Sequence, residues 1–246
     1  MGESHVATVE LFPALFEGDA RGTLRSALKE MLQRTGIRTM TVHAPFGGQW
    51  DISSLDETTH QQALGVAAAA VDLAAEFGAP MVVVHASAEP IAPEERGRRL
   101  AQARRALVEI GRLSAAAGRR VAVELLPRSC LGNTVEELME LVGDLPGESF
   151  GVCLDTNHLM GRYRSLADDI RLLGNRLITT HLSDYDGVDE KHQLPGEGVL
   201  DWRAVMAALR EIGYEGPLNS ECQLHGDTPE QRIRSLEASF QWLRGL

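Results

Sequence analysis

The chain has 246 residues, 43% of them hydrophobic and only 5% aromatic, with a formal net charge of −11. That length suffices for one large core, so a single domain over residues 1–246 is expected. The charge disfavours a broad nucleic-acid interface, which draws affinity from counterion release by Lys and Arg, and no run approaches the roughly 20 apolar residues that cross a bilayer.

In chain order, the start from Met1 to His5 lacks a basic segment followed by an apolar run, so no signal peptide is expected. Short β-rich runs then alternate with helical patterns. The strand candidates are Val6–Leu11, Ile37–His43, Pro80–His85, Arg120–Leu125, Phe150–Asp155, Leu177–Leu182 and Pro217–Glu221. Ser54 with Glu57 reads as a capping box opening a helix that runs to Gly78, and Pro93 opens a long one that ends at Gly118. Thr134 with Glu137 opens another that stops near Gly143. Thr228-Pro229-Glu230-Gln231 combines a cap, a proline at the first helical position and a returning Gln. Asp201 reads as a helix N-cap, with Trp202 packing beneath its loop. Cys130, Cys153 and Cys222 are odd in number and share no CxxC spacing, which points to a reducing cytoplasm rather than a disulfide framework.

Strand–helix alternation means a parallel α/β sheet, either open or closed into a barrel. The polar residues choose between them. Four successive strands end in a candidate metal ligand: Glu124, Asp155, His181 and Glu221. In an open sheet the outer two of four neighbouring strands lie ~14 Å apart, whereas ligand bonds are only ~2.0–2.3 Å long. A barrel turns those ends toward one axis. A TIM (β/α) barrel is therefore predicted. Seven strands are recognised where eight are usual, so a missing first β/α unit is expected.

Three carboxylates and one imidazole suit a single Mn²⁺, Mg²⁺, Co²⁺ or Zn²⁺ ion better than a structural zinc site. Each residue alone has an ordinary role as a cap or ion-pair partner; four in succession favour a shared site. His43 and His85 end strands at the same mouth, and His158 lies three residues after Asp155. These three, together with His192 and Glu197, are candidate substrate contacts, with loop capping as the plainer alternative. Trp50, in the loop after His43, is a further candidate wall of the pocket.

Val42-His43-Ala44-Pro45, Ala122-Val123-Glu124, Leu154-Asp155-Thr156-Asn157-His158, His181-Leu182-Ser183-Asp184 and Pro195-Gly196-Glu197-Gly198 together resemble the xylose-isomerase-like barrels. That superfamily includes sugar isomerases, ketose 3-epimerases and apurinic endonucleases of the type IV class. The resemblance covers nearly the whole chain and begins at the family's second strand. It implies that Glu124, Asp155, His181 and Glu221 bind one divalent cation, and that Glu124 and Glu221 act as paired acid and base on a carbohydrate through an enediolate. It also allows a homodimer. Glu197 would face the mouth and orient His181 from behind. The sequence departs from the epimerase pattern at Gly187 and Cys130, where an arginine and a second glutamate are usual, so a broad isomerase or epimerase assignment is safer than ketose 3-epimerase. The endonuclease alternative draws on His43, His85 and His158, and on Glu190-Lys191-His192 in place of an Asp-x-His pair. Against it stand the net charge and the lack of a basic, aromatic-bearing insertion. A non-catalytic sugar-binding barrel is a third reading, opposed by the intact ligand set.

Overall fold

The computed structural model describes residues 6–12 and 21–246; the start from Met1 to His5, on which the signal-peptide expectation rests, lies outside them. Among the described residues, seven parallel strands form one sheet in chain order. They are β1 (Thr8–Leu11), β2 (Arg38–His43), β3 (Met81–Val84), β4 (Arg120–Glu124), β5 (Phe150–Asp155), β6 (Leu177–Leu182) and β7 (Leu218–Ser220). Helices α1 (Arg21–Thr35), α2 (Glu57–Phe77), α3 (Arg96–Ala116), α4 (Val135–Val142), α5 (Leu166–Leu173) and α6 (Trp202–Glu211) join them, and α7 (Pro229–Arg244) follows β7. β1 and β7 approach one another without pairing, so the barrel is nearly closed.

Two apolar layers result. Buried positions of α2 recur at helical spacing through Ala63, Leu64, Ala67, Ala70, Val71 and Ala74, facing outward strand residues such as Val82 and Val123. Inside the barrel, Met81, Val83, Ala122, Cys153 and Ile178 fill the lower part. Gly111 of α3 lets that helix lie against β5, because a Cβ there would collide with the Phe150 ring. Where β7 and β1 lack a ladder, buried Asn219 donates across the barrel to the hydroxyls of Thr41 at 3.1 Å and Thr179 at 3.2 Å.

Two helix starts differ from the sequence reading. Asp56, not Ser54, caps α2 by accepting from the Thr59 amide at 2.8 Å, while the Ser54 hydroxyl accepts from the Asp56 amide. α3 begins at Arg96, three residues beyond Pro93. Its first residue is pinned by Glu137, whose side chain takes Arg96 at 2.7 Å rather than completing a box with Thr134. Thr228 and Gln231 do form a full capping box, with Pro229 in the first turn.

Candidate metal centre and its mouth

The carboxyl ends of the strands carry the polar groups, and the barrel brings them together. Glu124 and Asp155 are the last residues of β4 and β5, His181 is the last but one of β6, and Glu221 follows β7 directly. Each offers a ligand atom, and these atoms lie within 4.8 Å of one another. His181 Nδ1 is 3.2 Å from Glu124 Oε1 and 2.8 Å from Glu221 Oε2. Glu124, Asp155 and His181 are buried, whereas the Glu221 side chain is 38% exposed at the mouth.

The donor set fits a divalent cation. Asp155 Oδ2 and Glu221 Oε2 are buried without a hydrogen-bond partner, although Glu221 Oε2 sits close to His181 Nδ1. Two electron-pair donors that approach so closely can share one ion. Burial pushes the Asp155 carboxyl up to about 6, against the opposing pull of His158. Burial also works against ionised Glu124, yet the His181 and His85 charges and hydrogen bonds from His181 and His43 hold it well below the ordinary glutamate range. Three carboxylates in so small a volume repel one another unless a cation joins them.

Glu124 is the hub. Its Oε2 lies 3.0 Å from His43 Nε2 and 3.1 Å from His85 Nε2, and the other imidazole nitrogen of His43 bonds to the Ala44 carbonyl. His158 Nδ1 bonds to the Leu125 carbonyl at 2.8 Å, and its Nε2 points toward Asp155 and Glu190, at 3.7 and 3.5 Å. His192 faces His158 edge-on across 5.8 Å. Asp155, His158 and His192 form a second close group of candidate ligands.

A cavity of about 320 Å³ opens above these groups, lined by His85, Glu124, His158, Glu190, His192 and Glu221. That volume suits a small-molecule ligand. Two expectations about its surroundings need correction. Trp50 does not line the cavity; it lies in a short 3₁₀ turn, Gly48–Trp50, and packs against the core. Phe46 lines it instead, stacked on His85 at 4.4 Å and 47% exposed. Glu197 does not hold His181 either: its carboxylate engages His225 at 2.8 Å and the Leu194 amide. The residue that orients His181 is Glu10 of β1, 3.1 Å from Nε2. A carboxylate behind a ligating histidine fixes its tautomer and ring direction.

The loop after β6 is held by Asp184. Its buried carboxylate accepts from the amides of Tyr185, Gly196 and Leu200 and from the Trp202 indole. Gly198 passes so close that a Cβ would collide with the Tyr185 carbonyl and lie 2.5 Å from Asp184 Oδ1. Thus the His181-x-x-Asp184 and Gly-Glu-Gly segments are two halves of one structural device, and it is this device that carries Glu190 and His192 to the mouth.

A model of the xylose isomerase-like TIM barrel family matches residues 4–246. Among curated proteins, the chain is 28% identical over 199 residues to an uncharacterised protein of Methanocaldococcus jannaschii, covering 79% of this chain and 67% of that one. It is 34% identical over 84 residues to a D-psicose 3-epimerase of Enterocloster bolteae, a stretch spanning 34% of this chain and 26% of the epimerase. It is 25% identical over 122 residues to an inosose isomerase of Bacillus subtilis, covering 47% and 44% of the two chains. Among solved structures, a D-tagatose 3-epimerase-like protein superposes with a TM-score of 0.82 at 25% identity, covering 97% of this chain and 87% of that one.

Proposed function

The chain belongs to the xylose isomerase-like TIM barrel family, and from that premise we propose that it is a divalent-metal-dependent isomerase or epimerase of a small sugar or sugar derivative. One observation carries the reading: Glu124, Asp155, His181 and Glu221 offer ligand atoms within 4.8 Å of one another at the base of a sugar-sized cavity. The relatives named as sugar epimerases and inosose isomerases support the reaction class.

A bound Mn²⁺, Mg²⁺, Co²⁺ or Zn²⁺ would supply positive charge beside adjacent substrate oxygens, easing loss of a proton from the carbon next to a carbonyl. Glu124 and Glu221 reach that volume from separate strands. One takes the carbon-bound proton, leaving an enediolate, and the other returns a proton. Return to the opposite face of the same carbon is epimerisation; return to the neighbouring carbon is aldose–ketose isomerisation. Glu221 is the freer of the two, because both Glu124 oxygens are engaged by imidazoles. His43 and His85 fix Glu124, Glu10 fixes His181, and Phe46 offers an apolar face to the substrate's C–H groups.

The test is deuterium wash-in from solvent into a panel of ketoses, inososes and sugar acids, with each of the four metals in turn. Exchange at a carbon beside the carbonyl, lost on chelation and restored by metal, is expected. Absence of exchange across the panel with the metal bound would sink the reading. Phe46→Ala is expected to raise KM about tenfold with little change in kcat, since removing an apolar contact costs on the order of 1–2 kcal/mol of uniform binding; steady-state kinetics on the identified substrate checks it. One observation favours a rival. The second ligand group, Asp155, His158 and His192, would add a further cation of the kind a phosphodiester-cleaving centre uses. Metal content separates the two, at one ion per chain for sugar chemistry and three for the nuclease.

A further inference from the structure

We propose that Arg128 restricts this centre to one divalent cation by standing guard over the second group of ligand atoms. The inference rests on the single-cation reading above. A second ion beside Asp155, His158 and His192 would share Asp155 with the first, so a further carboxylate would strengthen its site. Glu190 is the candidate: its Oε1 lies 3.5 Å from His158 Nε2 and 3.6 Å from His192 Nε2.

That carboxylate is already taken. Glu190 Oε2 is 2.8 Å from the Arg128 guanidinium, an ion pair that lacks hydrogen-bond geometry. Arg128 is in turn held by Glu89 at 3.2 Å and Asp189 at 3.0 Å, so three carboxylates from two loops fix one side chain. Its backbone adopts φ of 51°, a left-handed conformation that costs a non-glycine residue energy and is kept where a side chain must be aimed. Arg128 is also the one lysine or arginine lining the cavity among the described residues. A guanidinium does not lose its proton in a protein, so the positive charge is permanent. Glu89 and Asp189 offset much of that charge, so Arg128 acts by occupying Glu190: a second ion must break this ion pair before it can use the carboxylate.

The experiment titrates chelator-stripped full-length protein with Mn²⁺, Co²⁺ and Zn²⁺ and measures bound metal per chain after equilibrium dialysis. Thermal melts confirm that each variant is folded. Wild type is expected to hold one ion and Arg128→Met two, with the second site tightened at least about tenfold because Glu190 is released from its charged partner. Arg128→Lys, which keeps the charge, should hold one, and Arg128→Met combined with Glu190→Gln should return to one. Two ions in wild type, one ion in folded Arg128→Met, or two in Arg128→Lys would each overturn the proposal. Wild type that binds no metal removes the single-cation reading as well, whereas one ion in both wild type and Arg128→Met removes only the gate.

Discussion

Glu221→Gln is expected to lower turnover by about 10²–10⁴-fold, the usual contribution of a positioned acid or base, while leaving the fold intact. Its side chain is partly exposed and follows a strand of only three residues, so little packing depends on it. The informative readout is exchange rather than turnover. If Glu124 and Glu221 serve opposite faces of one carbon, the variant still washes deuterium into the epimer whose proton faces Glu124, and fails on the other. Interconversion is lost in both directions because it needs both groups. Glu124→Gln should show the opposite preference; each variant removes a proposed ligand and weakens metal binding, Glu124→Gln the more because four imidazoles also pack around that carboxylate. Measuring exchange separately from each epimer, at saturating metal, decides the matter. Wild-type exchange into both epimers by Glu221→Gln would remove it from the chemistry.

Much of this architecture was readable in the chain, for a physical reason. Strands buried on both faces tolerate few polar residues, so Glu124, Asp155 and His181 at the ends of Val-, Leu- and Thr-rich runs stand out against their background. The ends of β5 and β6 coincide with the predicted ones because the apolar runs stop there. What escaped were features set by loops and by neighbours in space. Phe46 and Trp50 sit on one loop, and nothing in their spacing tells which faces the cavity; a 3₁₀ turn sets Trp50 against the core instead. Glu10 is a lone acid in a short strand, and the β1–β2 ladder shifts register beside it, between Val9 and Glu10. Such irregularities redirect side chains without a compositional mark. The misread helix starts have the same origin. Ser54 and Asp56 are both competent caps, and the turn in which the Ser54 amide donates to the Asp51 carbonyl leaves Asp56 as the first residue able to serve α2.

Asp184→Ala is expected to be the most destabilising single change at the mouth, by about 3–5 kcal/mol. The reason is not the lost charge itself but the donors left behind. The Gly196 amide at 2.8 Å, the Leu200 amide at 3.1 Å, the Tyr185 amide at 3.0 Å and the Trp202 indole at 2.8 Å all point at this carboxylate. Each buried donor without a partner costs about 1–3 kcal/mol, and water entering the space would recover part of the total. For a chain of this size the loss corresponds to a fall in Tm of roughly 10 °C. Asp184→Asn is the sharper test, because it nearly preserves volume yet turns an amide group toward donors and can satisfy only one side of the cluster. It should therefore destabilise nearly as much, and loosen the loop that carries Glu190 and His192. Thermal melts of both variants, with metal and without, give the outcome. A Tm within about 2 °C of wild type for either variant would mean that the loop is held by its apolar contacts, Tyr185 and Leu200, and not by the carboxylate.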